Sequence, residues 1–274
     1  MTTMELIRHR RSVRTFDGTP LRAEDAEAIL AFAQKAENPW GLPIEWRLLS
    51  ARASGLTSPV ISGTDAWIAG KMKAAEHAEE AFGFEFESIV LYAESLGLGT
   101  TWIAGTMDRA AFEKAMDLRD GEVMPCVSPL GYPAGKMALK ETLMRKGVKA
   151  DSRLPFGQLF FDGGFDRPLT EEKAGPAAEL LEMIRWAPSA VNKQPWRVVL
   201  LDGTAHFYEK KSKGFAGKDG WDLQKIDLGI AMNHLAAGLA ERGADACFTC
   251  ADPGLPAPPD TEYMASCPIG RTDA

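Results

Sequence analysis

The sequence is poor in the residues that mark several common chemistries. Four cysteines among 274 residues are too few for a disulfide framework, and a reducing cytoplasm is the expected compartment. The four histidines, His9, His77, His206 and His234, are scattered without the spacing of a metal site. Apolar runs such as Ile89–Ala93 are far too short to span a bilayer, so no membrane partner is expected. Basic residues are not in excess: 31 against 38 acidic ones give a net charge of −7, which offers nucleic acid no general attraction. Residues 1–11 are polar and then basic, unlike a secretory signal. A Gly-x-Gly-x-x-Gly fingerprint is missing too. Gly97-Leu98-Gly99 runs into Thr100-Thr101-Trp102, so no dedicated dinucleotide-binding unit is expected. What remains, 45% apolar and 25% charged, is the profile of a soluble globular chain long enough for one large domain or two smaller ones.

Positive charge is concentrated in one place, Arg8-His9-Arg10-Arg11-Ser12-Val13-Arg14-Thr15-Phe16, with four arginines in seven residues. Guanidinium groups bind phosphate through charge-assisted hydrogen bonds of roughly 1.5–3 kcal/mol each. Ser12 adds a short hydroxyl donor. Alone, the segment reads as a local anion site, a solvated basic end or a nucleic-acid arm. The acidic remainder argues against the arm.

A second stretch is equally informative. Leu180, Leu181 and Ile184 lie at helical spacing and lead into Ala187-Pro188-Ser189-Ala190-Val191-Asn192-Lys193-Gln194-Pro195-Trp196. Pro188 ends the helix, and Val198–Leu201 leaves as a buried strand. Between them Ser189, Asn192 and Gln194 carry donors and acceptors, and Ala190 leaves room for a flat ligand. Locally this is either a ligand loop or a connection whose polar groups cap one another.

The chain also repeats itself. The first half predicts a helix with Ala26, Ile29, Leu30 and Ala33 inward, a strand over Trp46–Leu49 and a loop over Ser50–Thr64. A helix over Glu85–Leu96, a strand over Thr100–Ile103, a helix near Asp108–Met116, a strand over Val123–Leu130 and a basic surface excursion over Lys136–Arg153 follow. In the second half Trp196-Arg197 echoes Trp46-Arg47 at an offset of 150, and Cys267-Pro268-Ile269-Gly270 echoes Ser128-Pro129-Leu130-Gly131 at 139. The helix over Leu223–Glu241 matches the one ending at Leu96, Ala240-Glu241 falling on Ala93-Glu94. The expected organisation is therefore two tandem α+β repeats, residues 1–153 and a shortened 154–274, packed as an intramolecular pseudo-dimer. Cys247, Cys250 and Cys267 could be metal ligands, but Cys247–Thr249 falls on the strand Thr101–Ile103, which favours structural cysteines and no metal. Trp40, Trp67 and Trp102 could flank an aromatic substrate or anchor the core.

Together these motifs carry a resemblance. Arg10-Arg11-Ser12-Val13-Arg14, the Ala-Pro-Ser-Ala-Val-Asn-Lys-Gln-Pro-Trp-Arg run, Gly-Leu-Gly-Thr at a helix end and Gly-Tyr-Pro-Ala resemble the FMN-dependent nitroreductase family over most of the chain, and in particular its branch with two fused copies. The resemblance implies a nitroreductase-like fold, each repeat a mainly antiparallel sheet with flanking helices. It implies FMN, held where ordinary members pair two subunits: one gives the arginines and a glycine-rich strand end, the other the Ala-Pro-Ser-x-x-Asn loop. Here the first repeat has the arginines and the second the intact loop. By resemblance, Arg10, Arg11 and Ser12 hold the phosphate and ribityl chain, with Arg153 a further phosphate ligand. Arg14 faces the pyrimidine edge of the flavin. Ala104 and Gly105 offer backbone N–H groups to the hydride-accepting ring nitrogen, and Pro188, Ser189, Ala190 and Asn192 line the ring.

The reciprocal motifs are degenerate. Phe161-Asp162-Gly163-Gly164 and Glu37-Asn38-Pro39-Trp40-Gly41 stand where arginines and an intact loop would be needed, and Asp162 would repel a phosphate. One flavin per chain is expected. Family members often carry Glu where this chain has Ala104, so only a backbone role survives there. The implied activity is a ping-pong oxidoreductase taking hydride from NADH or NADPH to a small nitroaromatic or quinone-type acceptor. No side-chain acid, base or nucleophile is required, and a monomer acting as a pseudo-dimer suffices. The alternative is a flavin-binding sensor or storage protein with little turnover.

Overall fold

The computed structural model of the chain describes residues 1–215 and 221–270. Two compact units emerge: residues 8–150, and residues 1–7 together with 151–274. The first seven residues thus group with the second unit, whereas the sequence assigns them to the first repeat. In chain order the elements are α1 (Thr3–His9), α2 (Ala23–Ala33), β1 (Ile44–Ser50), α3 (Ala51–Ser54), β2 (Ala66–Lys73), α4 (Ala78–Ser95), β3 (Gly99–Thr100), α5 (Arg109–Ala115), β4 (Glu122–Val123), β5 (Val127–Gly131) and α6 (Leu139–Gly147). They continue with α7 (Phe156–Leu159), β6 (Phe160–Asp162), α8 (Glu171–Ala174), α9 (Ala178–Arg185), β7 (Trp196–Leu201), β8 (Thr204–Lys210), α10 (Leu223–Glu241) and β9 (Thr261–Pro268).

In the unit of residues 8–150 the sheet runs β1-β2-β5-β3, every pair antiparallel, with β4 beside β2. β1 and β2 register Trp46 opposite Gly70. A Cβ at Gly70 would come 2.5 Å from the indole, so the ring lies on bare backbone. Trp46 continues into an aromatic core with Phe82 and Phe86 of α4, ring centroids 5.2 and 5.0 Å away. Trp102 joins at 4.5 Å from Phe86, and Trp67 packs edge-on against Phe112 at 5.0 Å. Trp67 and Trp102 are therefore packing anchors. α4 starts seven residues before the expected Glu85, because Ala81 and Phe82 extend its buried stripe past Gly83.

β2 has no counterpart in the sequence reading. Six consecutive buried residues, Trp67–Met72, leave it no alternation to detect, and they include a lysine. Lys71 is accommodated by donating to Glu122 Oε2 and the Asp117 carbonyl, both at 2.9 Å. The expected strand over Val123–Leu130 is split around Pro125 into β4 and β5. The strand expected over Thr100–Ile103 shrinks to β3 and a lone bridge from Ile103 to Val127. Within the expected loop Ser50–Thr64, α3 forms because the Ser50 hydroxyl caps it, accepting from Ala53 N at 3.1 Å. The basic stretch after Lys136 forms α6, which carries the buried Glu141.

In the other unit the sheet runs β6-β7-β8-β9, parallel between β6 and β7 and antiparallel elsewhere. Val198, Val199 and Phe207 fill its centre. β8 also escapes the sequence pattern, since His206 and Glu209 are buried within it. α10 has the expected bounds. Its Gly238 lets α9 come close: a Cβ there would meet Met183 Sδ at 2.5 Å and Leu180 Cδ2 at 2.7 Å. His234 is buried on α10 and its Nδ1 donates to the Met183 carbonyl at 2.9 Å. Cys247–Thr249 is not a strand; Thr249 makes a single bridge to Ser266. Cys126 and Cys267 are buried, Cys247 and Cys250 are exposed, and all four are free thiols. Among the described residues no helix is long and apolar enough to cross a membrane, and no cluster of His, Cys, Asp and Glu could hold a metal ion. Each unit thus pairs a Trp-Arg strand in an antiparallel hairpin with one long helix, β1–β2 with α4 and β7–β8 with α10.

Candidate functional site

The arginine segment runs along one end of the sheet in the unit of residues 8–150. Ser12 bridges Thr100, and Val13 N donates to the Thr100 carbonyl at 2.8 Å. This brings Arg10–Arg14 beside the strand end that leads to Ala104 and Gly105. Arg10 is buried, its Nε 3.8 Å from Glu87 Oε1 on α4 and without a hydrogen-bond partner. Glu87 also accepts from Trp102 Nε1 at 3.0 Å. Arg11 donates to Glu141 Oε1 at 3.3 Å, and the Thr15 hydroxyl donates to the other oxygen at 2.8 Å. Burial lowers the Arg14 pKa; the Glu141 charge raises it and Arg145 lowers it again. Arg11, Arg14 and Thr15 therefore converge on one buried carboxylate that sequence reasoning missed, because it sits in a run otherwise rich in lysine and arginine. At the strand end the Ala104 carbonyl accepts from Arg109 at 2.7 Å. Among the described residues no acceptor pairs with the N–H groups of Ala104 or Gly105, and Gly105 is exposed.

In the other unit the structure brings Arg153 together with the Pro188–Asn192 loop. The Asn192 amide donates to the Ser152 carbonyl at 3.1 Å, and Leu154 N donates to Gln194 Oε1 at 2.9 Å. The Arg153 guanidinium lies over the Trp186 ring, 4.7 Å from its centroid, and donates to the Trp186 carbonyl at 3.1 Å. α9 ends at this point as its pattern predicts, with Ala187 and Pro188 leaving the helix. The Ser189 hydroxyl accepts from Gln194 N at 2.8 Å, closing the loop on itself. Ala190 N donates to both carboxyl oxygens of Asp227 on α10, at 3.0 and 3.1 Å. Asp227 carried no sequence signal beyond being an acid inside an apolar helix.

Burial holds Asp227 well above the usual carboxylate range, opposed by the Ala190 N–H and reinforced by Asp222 and Glu209. Glu209 itself is fully buried in β8, and neither carboxyl oxygen has a hydrogen-bond partner. Desolvation first, then the charges of Asp222 and Glu262, push it up to about 7, against the pull of Lys211 and Lys225. A carboxyl raised on folding prefers to be protonated in the native state. Its contribution is complete below the unfolded value of 4.5 and is lost as pH rises toward 7. At about 1.4 kcal/mol per unit, the loss is on the order of 3 kcal/mol. Glu209→Gln is expected to remove this slope. Urea midpoints at pH 5 and pH 8 should separate by less in the variant than in the parent, and equal separations would refute it.

The residues that the sequence marks as degenerate counterparts make contacts of their own. Asn38 Oδ1 accepts from Trp40 N and Leu42 N at 3.1 and 3.2 Å, and its amide donates to Leu42 O and Glu85 Oε1 at 2.7 and 2.6 Å. Asp162 accepts from Lys173 Nζ at 2.5 Å.

Comparison with known proteins supplies a family. A family model described as "Putative TM nitroreductase" matches residues 2–239. A search of curated proteins finds no match. Among solved structures, a "putative nitroreductase" of Thermotoga maritima MSB8 is similar at 19% identity, with a TM-score of 0.62 over 98% of this chain and 94% of that one. That likeness extends over both units and shows a nitroreductase-like α+β fold. A nitroreductase family protein of Clostridium difficile 630 matches at 17% identity and a TM-score of 0.44, over 58% of this chain and 96% of its own. An FMN-dependent nitroreductase of Clostridium difficile R20291 matches at 18% and 0.42, over 52% and 94%.

Proposed function

The chain belongs to the nitroreductase family that this model describes, and from that premise we propose that it is an FMN-dependent oxidoreductase passing hydride from NADH or NADPH to a small nitroaromatic or quinone-type acceptor. The observation that carries the reading is the Ser12–Val13 segment laid along Thr100, which gathers the arginines and two unpaired N–H groups at one strand end. The residues present fit the cofactor. Arg10 has a buried, unpartnered N–H suited to a phosphate oxygen. The N–H groups of Ala104 and Gly105 suit an acceptor nitrogen of the ring. The Ser189–Gln194 loop is closed by the Ser189 hydroxyl on Gln194 N and tied to Leu154 through Gln194 Oε1.

In this proposal Arg10, Arg11 and Ser12 bind the phosphate and ribityl chain, and Arg153 is a further phosphate ligand. Arg14 sets positive charge at the pyrimidine edge, where it favours the reduced, anionic ring. Ala104 and Gly105 orient the ring through backbone N–H groups, while Pro188, Ser189, Ala190 and Asn192 line it. Bound FMN supplies the hydride chemistry and the protein supplies position and electrostatics. Donor and acceptor use one stacking place in turn, so the cycle is ping-pong. A single chain in the cytoplasm suffices, its two repeats doing the work of two subunits as an intramolecular pseudo-dimer.

The test is the visible absorption spectrum of the purified chain with released flavin counted. One FMN per chain is expected. Two would overturn the asymmetry of the repeats, and none after incubation with excess FMN would overturn the cofactor. NADH or NADPH should bleach the bound flavin at a catalytic rate, and added acceptor should restore it. A flavin that resists bleaching would make the chain a sensor or store.

A further inference from the structure

We propose that Asp227 is a positioning residue for the flavin: its carboxyl group, carried on α10, clamps the Ala190 N–H and so fixes the ring-lining loop in a conformation the loop would not hold alone. The inference rests on the FMN reading given above. It begins with the backbone. Val191, Asn192 and Gln194 have φ of 44°, 58° and 50°, three non-glycine residues in the left-handed region within four positions. Such residues are disfavoured, most of all a β-branched one, and persist only where the surroundings enforce them. They cluster where function demands a particular shape.

Fastening from within the loop comes from Ser189 Oγ on Gln194 N. Fastening from a long element comes from Asp227, both of whose oxygens take the Ala190 N–H, at 3.0 and 3.1 Å. Asp227 is buried, as are its neighbours Ile226 and Leu228. The helix that carries it is a firm base: Asp222 caps it by accepting from Gln224 N at 2.8 Å, and Gly238 seats it against Leu180 and Met183. A buried carboxyl group is unfavourable unless it is hydrogen-bonded, and this one accepts the N–H of the residue that opens the strained turn.

The position recurs in the other unit. Glu80 lies 147 residues before Asp227, the same offset that relates Ala93-Glu94 to Ala240-Glu241. Glu80 is also buried, with Oε1 3.3 Å from His77 Nδ1, and the His77 ring stacks on Trp40 of the counterpart loop at 5.6 Å. A buried acid at this position is thus a feature of both long helices.

The experiment titrates FMN into wild-type, Asp227→Ala, Asp227→Asn and Ala190→Pro full-length protein, reading the dissociation constant and the visible circular dichroism of the bound flavin. Asp227→Ala is expected to weaken binding tenfold or more and to change the dichroism. Asp227→Asn keeps one acceptor oxygen and should stay within threefold of wild type. Ala190→Pro removes the donor while leaving α10 untouched, and Ser189 before it is already extended (φ −150°, ψ 160°) as proline requires. It should lose as much affinity as Asp227→Ala, and it carries the test should that variant fail to fold. Wild-type affinity and unchanged dichroism in either folded variant would overturn the proposal. A wild-type chain that takes up no FMN would instead overturn the cofactor reading.

Discussion

Replacing Arg10 by alanine is expected to weaken FMN binding about a hundredfold, more than replacing any other arginine of its segment. The four arginines look interchangeable in the sequence, but their surroundings differ. The Arg10 side chain is 6% exposed, 3.8 Å from Glu87, and its Nε donates to nothing. A desolvated guanidinium with an unused donor gains most from an incoming phosphate, and a charge-assisted bond of roughly 3 kcal/mol corresponds to about a hundredfold in affinity. Arg11 is 32% exposed and already donates to Glu141 at 3.3 Å. Taking it for phosphate forfeits that bond, so Arg11→Ala should cost less than about tenfold. Arg10→Lys keeps charge beside Glu87 but loses the paired donors, and should fall between. Quenching of flavin fluorescence gives each affinity. Riboflavin, which lacks the phosphate, is the control: it should bind wild type and Arg10→Ala alike. Equal losses for the two ligands would mean that Arg10 supports the fold and not the phosphate.

That contrast marks what the sequence could and could not supply. The arginine segment, the Ala187–Trp196 loop, the bounds of α10 and the echo of Trp46-Arg47 in Trp196-Arg197 rest on local pattern, and local pattern is what a sequence carries. Glu141 and Asp227 act through contacts across 130 and 37 residues of chain, to Arg11 and Ala190, and no spacing rule reaches so far. β2 and β8 were invisible for a related reason. Strands covered on both faces do not alternate, and Lys71 and Glu209 inside them read as surface residues until their surroundings are known. The strain at Val191 was hidden as well, since an ordinary β-branched residue announces no left-handed backbone.

The repeated tryptophans set the second large effect. Trp46→Phe is expected to destabilise its unit by about 2–4 kcal/mol, whereas Trp196→Phe should stay within about 1 kcal/mol of the parent. Both indoles are buried in Trp-Arg strands, so sequence alone predicts equal results. Trp46 Nε1, however, donates to Glu85 Oε2 at 2.9 Å, and burial pushes Glu85 up to about 7 despite that bond and the one from Asn38. A phenyl ring there removes the donor and leaves a buried carboxyl short of a partner. Trp196 Nε1 is buried without a partner. Removing it relieves an unsatisfied donor, which offsets the smaller ring. Urea unfolding of each variant, with the two units treated as separate transitions where they separate, measures the difference. The pH dependence distinguishes the cause. The indole N–H stabilises the ionised form of Glu85, so its loss raises that pKa further. The penalty of Trp46→Phe should therefore be larger above pH 7 than at pH 5. A penalty independent of pH would assign the effect to packing against Phe82 and Phe86 alone, and equal penalties for the two tryptophans would refute the role of the hydrogen bond.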